Sequence, residues 1–158
     1  MNDRVREMLV REHTRFEVVP HREVYTAQER AATCQISGRR LAKVVVVRDE
    51  DWFSLAVIPA PAHLNLPQLR TLTGRPRLRL AREDEFARLF PDCDTGAMPP
   101  FGRLYGLGVF LDSSLADEPE LVFEAGTHRE EIRMPMGDYL RVEHPEIASV
   151  SAIRLGAA

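Results

Sequence analysis

The sequence predicts a single α/β domain in which helices flank a mixed, largely antiparallel and barrel-like sheet. Helical and strand patterns follow one another irregularly along the 158 residues, without the strict βαβ order of a parallel sheet. Several links between predicted strands are shorter than the roughly 12 residues that a parallel crossover needs. Hydrophobic residues make up 44% of the chain and charged residues 28%, which is typical of a globular protein. We therefore treat residues 1–158 as one domain.

The apolar centre of the sheet is predicted by two neighbouring runs. Residues 42–47 include four consecutive valines, and residues 52–58 form a second apolar run after the charged turn RDED. Because the four consecutive valines leave no polar face, the pair predicts a hairpin of buried strands. Further strands are predicted at 16–19, 77–80, 108–112, 120–126 and 131–134.

Capping residues and helical spacing predict where the helices begin and end. Asn2 can cap a surface helix over residues 3–13, and Thr26 with Glu29 forms a capping box that opens a second helix before Gly38. The remaining helices are predicted after Asn65 and before Gly74, at 83–90 and at 136–144. The last residues, 151–158, are predicted to be loose.

Composition and charge exclude several classes of protein. The net charge of -3 argues against a protein that coats nucleic acid non-specifically, although it allows a local basic patch. No run approaches the roughly 18 apolar residues of a membrane span, and the first 13 residues are too charged for a signal peptide. We therefore expect a cytoplasmic protein. Cys34, Cys93 and the five histidines show no metal-ligand spacing, so we expect no disulfide framework, metal or cofactor.

The first candidate functional residue is Lys43. It is the one lysine among 21 Lys and Arg residues, and it lies at the start of the four-valine strand. A compact ammonium at this position can donate to a carbonyl or phosphate oxygen, and apolar walls would lower its pKa. A surface lysine without a function explains the position equally well.

The second candidate is a stiff loop that contains, in order, Gly96, Ala97, Met98, Pro99 and Pro100. Glycine allows a close approach to a ligand, and proline fixes the backbone, so the few N–H groups of this loop have set directions. Such a loop can hold an oxyanion or a ribose against backbone donors. An ordinary turn is the alternative.

A third candidate is the alternating segment that contains Arg75, Arg77 and Arg79. At the two-residue period of a strand, three guanidinium groups would share one face and could track a nucleic-acid backbone. The alternative is a solvated sheet face that is balanced by the acidic residues 83–85.

The remaining reactive side chains give weaker signals. Cys93 lies between Asp92 and Asp94, whose charges would raise its pKa and make it a poor nucleophile. His128 follows a predicted strand end, next to Gly126, and it is the histidine that we retain as a candidate. The sequence contains no GxSxG, P-loop or GxGxxG motif.

Taken together, the motifs resemble the YbaK/EbsC family, whose domain also occurs as the editing insertion of bacterial prolyl-tRNA synthetases. The resemblance covers residues 16–140. It rests on His21 followed by TAQE, and on the ordered segments LAKVVVV, LAVIPA with LNLPQL, DCDTGAMPPFG and EAGTHREEIRM.

The resemblance implies a compact α/β domain that hydrolyses the ester of a mischarged tRNA in trans, without a metal. It implies that Lys43 and the G-x-x-x-P loop from Gly96 to Pro100 carry the activity, and that the loop holds the aminoacyl group or the terminal adenosine. Gly126 is expected to help form the pocket.

Three positions depart from the pattern of the family. Glu124 stands where relatives often have Ser or Asn, Val44 where many have Thr, and Glu131 where some have Asp. We expect these positions to line or adjoin the pocket, where they bear on which amino acid is rejected.

Our main hypothesis is a deacylase for small or polar wrong amino acids such as Ala, Ser, Thr or Cys. A synthetase pocket cannot fully reject an amino acid that differs by one methylene, because this group changes the binding free energy by only about 1–3 kcal/mol. Editing removes the resulting errors. Mischarged tRNA is the expected substrate, and an aminoacyl-tRNA synthetase is a candidate partner. The alternatives are a tRNA- or nucleotide-binding module without catalysis and a small-molecule hydrolase that uses Cys93.

Overall fold

The structure is a computed structural model that describes residues 1–20 and 40–152. Its helices are α1 (Asp3–Arg11), α2 (Leu66–Thr73), α3 (Glu83–Phe86), α4 (Ser113–Ala116) and α5 (Met136–Glu143). Its strands are β1 (Glu17–Pro20), β2 (Ala42–Asp49), β3 (Trp52–Pro59), β4 (His63–Leu64), β5 (Arg79–Leu80), β6 (Gly108–Asp112), β7 (Glu120–Phe123), β8 (Glu130–Pro135), β9 (Glu146–Ala148) and β10 (Ser151–Ala152). Short 3-10 helices span Ala87–Leu89 and Gly102–Tyr105.

The largest sheet has five strands in the order β5-β2-β3-β6-β9. β2 pairs antiparallel with β3 and β5, whereas β6 pairs parallel with β3 and β9. β3 lies in the middle and is buried from Ser54 to Pro59, which explains its almost continuous apolar sequence. The predicted hairpin is confirmed, and its register places Lys43 opposite Ile58.

A three-stranded antiparallel sheet, in the order β1-β8-β7, shares its core with the first sheet, and β4 pairs with β10. A parallel bridge between Leu41 and Val122 joins the two larger sheets, and the Val122 N–H donates to the Arg40 carbonyl at 3.2 Å. Within the described residues the two sheets do not close into a continuous barrel. The mixed, largely antiparallel architecture is confirmed.

The main core lies between the two larger sheets. It contains Ala42 and Val46 of β2 together with Phe123 and Ile132 of the second sheet. Helix α1 contributes three side chains to this core, Val5, Met8 and Leu9. The helix begins as predicted, because the Asn2 side chain accepts the Val5 N–H at 3.0 Å.

Helix α2 also follows its predicted capping signals. The Asn65 side chain accepts the Gln68 N–H at 3.1 Å, and Gly74 ends the helix with a left-handed φ of 66°. Gly74 can adopt this conformation because it has no Cβ atom. Leu69 of α2 packs in a second core, on the opposite side of β2.

Two predicted elements differ from the structure in extent. The strand over 77–80 is present only at Arg79–Leu80, because the Leu78 N–H donates to the Arg75 carbonyl at 3.1 Å and closes a turn there. The helix over 83–90 changes from α3 to a 3-10 helix at Ala87.

The chain near the C-terminus is held in place. The prediction of a loose segment over 151–158 is wrong at Ser151–Ala152, because these residues form β10 and pair with β4. The buried Asp112 carboxylate accepts the N–H groups of Val150 and Ser151, each at 2.9 Å. Residues 153–158, like the predicted helix after Thr26, lie outside the described residues. No helix in the described ranges is long and apolar enough to cross a membrane.

Candidate active site

The loop that begins at Gly96 is bonded to the segment that follows β7. The Gly126 N–H donates to the Ala97 carbonyl at 2.7 Å, and the Asp94 N–H donates to the Gly126 carbonyl at 2.8 Å. The Ala97 N–H in turn donates to the Asp94 carbonyl at 3.0 Å. These bonds join two candidates that are separate in the sequence, the loop from Gly96 to Pro100 and Gly126.

His128 lies against the same loop and is only 7% exposed. Its Nε2 lies 2.6 Å from the Thr95 carbonyl oxygen, and its Nδ1 lies 2.6 Å from Glu124 Oε2. A carbonyl can only accept, so Nε2 carries a hydrogen in this contact. Both ring nitrogens are thus engaged within the protein, and the ring is fixed in orientation.

Two glycines of this site have backbone conformations that favour glycine. Gly126 has a φ of 96°, and a Cβ atom there would lie 2.8 Å from the side-chain nitrogen of Asn2. Gly96 has a φ of 79°, and a Cβ atom there would lie 3.7 Å from His128 Cε1. Both the positive φ and the nearby Asn2 side chain therefore require glycine at position 126. At position 96 a Cβ atom would have room beside the histidine, and only the positive φ favours glycine.

The second half of the loop is buried from Met98 to Phe101. The Tyr139 hydroxyl donates to the Pro100 carbonyl at 2.8 Å, and the Phe101 ring packs edge-on against Tyr139 and Phe123 at 5.4 Å. This half of the loop, including Pro99, is therefore part of the core, and it provides a rigid support for the exposed Gly96.

Met98 also lines a small, partly open cavity of about 30 Å³. The walls include Phe86 and Phe90, and Thr95 joins this cavity to the His128 side. Among the described residues, its lining includes Glu83 and Phe86 of α3 but not Lys43.

Lys43 is half-buried, and burial lowers the pKa of its ammonium below the usual value. It has no carboxylate partner among residues 1–20 and 40–152. Residues two apart on a strand share a face, so Lys43 leaves β2 on the same side as Leu41. Leu41 and Val122 form a parallel bridge, so the two segments run in the same direction there. Lys43 and Glu124 each lie two residues after this bridge.

The three arginines of the alternating segment do not share one strand face. Arg75 stacks on the Trp52 ring at 4.1 Å and lies 3.3 Å from Asp49. Arg77 lies 3.1 Å from Glu50, and Arg79 binds both carboxylate oxygens of Glu85 at 2.7 Å. The single-face arrangement was wrong because of the turn at Arg75–Leu78. A contact of these arginines with nucleic acid remains a prediction.

The Cys93 thiol is unsuited to nucleophilic attack. Burial is the largest cause that raises its pKa, to about 11, and the Asp92 charge adds to the rise. A hydrogen bond with Tyr105 acts in the opposite direction. The predicted direction is therefore confirmed, but desolvation contributes more than the neighbouring carboxylates do. Cys34 and His21 lie outside the described residues.

The sequence did not reveal the roles of Asn2 and Tyr139 in this site. Asn2 was recognised only as a helix cap, and Tyr139 only as part of a helix. Their contacts join segments far apart in the chain, and no local pattern predicts them. Within the described residues, no group of three or more His, Cys, Asp and Glu side chains could hold a metal ion.

Comparisons with known proteins identify the family of this chain. The sequence profile of the aminoacyl-tRNA editing domain family matches residues 21–142. The multifunctional Ser/Thr-tRNA deacylase ProXp-y of Escherichia coli K12 is 30% identical over 150 residues, which cover 90% of this chain and 87% of that protein.

Solved structures share the fold along nearly the whole chain. A candidate trans-editing enzyme for prolyl-tRNA synthetase superposes with a TM-score of 0.80 at 26% identity, over 94% of this chain and 95% of that one. The hypothetical protein APE2540 has the same fold, with a TM-score of 0.86 at 22% identity, over 95% of this chain and 100% of that one. The chain therefore belongs to the aminoacyl-tRNA editing domain family, which confirms the resemblance that its motifs indicate.

Proposed function

We propose that the protein is a trans-acting aminoacyl-tRNA deacylase, which hydrolyses the ester between a tRNA and a wrongly attached small or polar amino acid. Family membership and the 30% identity to a Ser/Thr-tRNA deacylase support this reaction. The observation that carries the site is the hydrogen-bonded junction of Asp94, Ala97 and Gly126, which includes the neighbour of Gly96 and lies beside the fixed ring of His128. Serine and threonine are the first amino acids to test, and alanine and cysteine follow.

The exposed Gly96 amide is the donor best placed to meet the substrate. Its N–H makes no hydrogen bond within the described residues, whereas both backbone groups of Ala97 are bonded to neighbouring segments. We assign to Gly96 the binding of an ester oxygen and to Ala97 the positioning of that amide. The buried Pro99 and Pro100 have no N–H to offer, so they act as support.

Hydrolysis of an aminoacyl ester needs little more than position and charge stabilisation. Water adds to the carbonyl carbon, the bond to the ribose oxygen breaks, and free amino acid and deacylated tRNA are released. An amide donor aimed at the developing oxyanion lowers the barrier, because it needs no reorganisation during the reaction. His128 keeps the loop in place, since both of its nitrogens already contact protein atoms.

Lys43 supplies the positive charge of the proposed site. An ammonium that burial has partly desolvated interacts more strongly with an anionic oxygen than one in bulk water does. Two targets suit it, the phosphate of the terminal nucleotide and the carbonyl oxygen of the ester. In the first case Lys43 binds substrate, and in the second it acts directly in catalysis.

A deacylation panel tests the proposal. Purified protein is incubated with tRNA that carries radiolabelled serine, threonine, alanine or cysteine, and the release of amino acid is compared with spontaneous hydrolysis. Each amino acid is loaded on two or three tRNAs, and correctly charged tRNA serves as the control. We expect release from at least one mischarged tRNA and none from the control. Spontaneous rates throughout the panel would contradict a deacylase.

The same panel separates the binding alternative and addresses a partner. Salt-dependent tRNA binding without turnover would favour a binding module. A synthetase that delivers the mischarged tRNA is a proposed partner, supported by the likeness to a candidate trans-editing enzyme for prolyl-tRNA synthetase. Addition of prolyl-tRNA synthetase to the assay should then raise the deacylation rate at low tRNA concentration.

A further inference from the structure

We infer that Asn2 is a positioning residue of the deacylation site, in addition to its function as the cap of α1. Asn2 precedes the residues that match the editing-domain family, so the inference concerns a part of the chain outside the conventional domain. It rests on the proposed function, because its main readout is the rate of deacylation.

Asn2 contacts its own helix and three positions elsewhere in the chain. Its side-chain oxygen accepts the Val5 N–H at 3.0 Å, which is the helix cap. Its side-chain nitrogen donates to Cys93 Sγ at 3.5 Å and to the Tyr105 hydroxyl at 3.4 Å. Its backbone N–H donates to the Ala125 carbonyl at 2.8 Å. A cap needs only the first of these bonds.

The same side chain packs directly on Gly126. A Cβ atom on this glycine would lie 2.8 Å from the Asn2 nitrogen and 3.0 Å from its Cβ atom. Gly126 is bonded through its N–H to Ala97 and through its carbonyl to Asp94. Asn2 therefore holds the junction from the face opposite the loop.

Tyr105 and Cys93 extend this connection. The Tyr105 hydroxyl lies 3.0 Å from Asp92 Oδ1 and 3.4 Å from Cys93 Sγ, so the Asn2 nitrogen completes a polar cluster at the start of the loop. Loss of that donor would free the start of the loop on one side and Gly126 on the other. The position of the Gly96 amide depends on both.

The chain provides a matched control in Asn65. This residue also caps a helix through its side-chain oxygen, which accepts the Gln68 N–H at 3.1 Å, but α2 lies in the second core, away from the loop. Serine can replace asparagine as a cap in both places, and it is too short to reach Cys93 or Tyr105 from position 2. Asn2→Ser thus loses the contacts with Cys93 and Tyr105, whereas Asn65→Ser removes no contact with the loop.

The experiment compares kcat and KM of the two variants with the parent protein on seryl- and threonyl-tRNA. We expect Asn2→Ser to lower kcat by about tenfold, the equivalent of one or two lost hydrogen bonds, with KM within about twofold. Asn65→Ser should keep both constants, and both variants should unfold at similar temperatures. Parental kcat in Asn2→Ser would overturn the inference, as would equal losses of kcat in both variants.

A second readout does not depend on activity. N-ethylmaleimide labelling of Cys93, followed by peptide mass spectrometry that separates it from Cys34, reports whether the cluster has loosened. Labelling should be about threefold faster in Asn2→Ser and unchanged in Asn65→Ser. A parent protein that releases no amino acid refutes the proposed function alone. Unchanged labelling of Cys93 in Asn2→Ser refutes the anchoring by Asn2.

Discussion

The cationic side chains at the two ends of the β2–β3 hairpin differ in whether they have carboxylate partners. At the turn end, Arg75 stacks on Trp52 and lies beside Asp49, and Arg77 and Arg79 also have carboxylate partners. At the other end, Lys43 is half-buried and has no carboxylate partner within the described residues. The two ends are roughly 17 Å apart, since Arg79 pairs with Arg48, five residues along β2.

This difference separates charges that stabilise the fold from a charge that is available to a ligand. A guanidinium presents a planar fork that suits a carboxylate of the same chain, and once paired it has little left for a phosphate. A buried ammonium without such a partner is costly for the fold, and an anionic substrate can offset that cost. The comparison therefore supports the proposed role of Lys43 over a role of the arginine segment in substrate binding.

The largest expected effect comes from Lys43→Ala. We expect kcat/KM for deacylation to fall by about 10²- to 10³-fold, as it does when a charge-stabilising donor is removed from an active site. The melting temperature should not fall, because the variant removes a partly desolvated charge. Lys43→Arg should restore little activity, since the fork is larger and remains protonated. Undiminished deacylation by Lys43→Ala would contradict the comparison.

The next largest effect is expected for Gly126→Ala, which tests the hydrogen-bonded junction of Gly126 with Ala97 and Asp94. The new methyl group would overlap Asn2 at a φ of 96°, so we expect a loss of about 1–3 kcal/mol in the free energy of unfolding. Activity should fall about tenfold or more. Urea unfolding and single-turnover deacylation measure the two effects.

Gly74→Ala is the matched control for Gly126→Ala. Gly74 also has a positive φ, of 66°, but a Cβ atom there meets nothing within 4 Å. Gly74→Ala should therefore lose stability through backbone strain alone, and its activity per folded molecule should be unchanged. Equal activities of Gly126→Ala and Gly74→Ala would show that the junction tolerates displacement.

Glu143 is a buried acid, and its titration can be compared with the burial of the Lys43 ammonium. Its carboxylate accepts the Arg103 N–H at 3.1 Å, and burial raises its pKa to about 7. The unfolded chain loses this proton near pH 4.5, whereas the folded protein keeps it to about pH 7, so unfolded molecules bind fewer protons between these values. Stability therefore falls as pH rises from about 4.5 to 7, by about 3 kcal/mol at most, and levels off above.

Glu143→Gln measures this contribution. The amide keeps an acceptor for Arg103 and cannot ionise, so the variant should match the parent protein near pH 4.5 and unfold at higher urea concentration than the parent at pH 8. Urea titrations at the two pH values check the expectation. The same stability difference at both values would mean that Glu143 does not titrate in this range.

The smallest effects are expected at the turn end. Arg77→Ala removes an exposed ion pair, and we expect kcat/KM within about twofold of the parent and an unchanged salt dependence of tRNA binding. If the arginine is a phosphate contact, the slope of log Kd against log salt falls by about one. That result would revive the predicted nucleic-acid surface and weaken the contrast between the two ends.

Most of the fold could be predicted because its signals are local. The four valines and the turn after them define the hairpin, and Asn2 and Asn65 cap helices as their sequence context indicates. The prediction of a single arginine face was wrong because an alternating pattern of polar and apolar residues is also compatible with a turn. There Pro76 lies inside a hydrogen-bonded turn, which a pattern of period two does not reveal.

The candidate site could be predicted only in part. The Gly96 loop and Gly126 stood out by residue type, but their hydrogen bonds join positions about thirty residues apart along the sequence. The contact of His128 with Thr95 depends equally on tertiary structure, whereas Glu124 lies only four residues before the histidine. Glu124 was visible as a departure from the family pattern, yet its position beside the histidine was not.

The first twenty residues set a practical limit on how the domain can be divided. They include β1, whose removal would leave the backbone groups of β8 as an open sheet edge, and α1, which fills part of the core with Val5, Met8 and Leu9. A fragment cut at residue 21, where the family match begins, would expose apolar surface next to that edge. Such a fragment should express poorly and aggregate through edge-to-edge pairing.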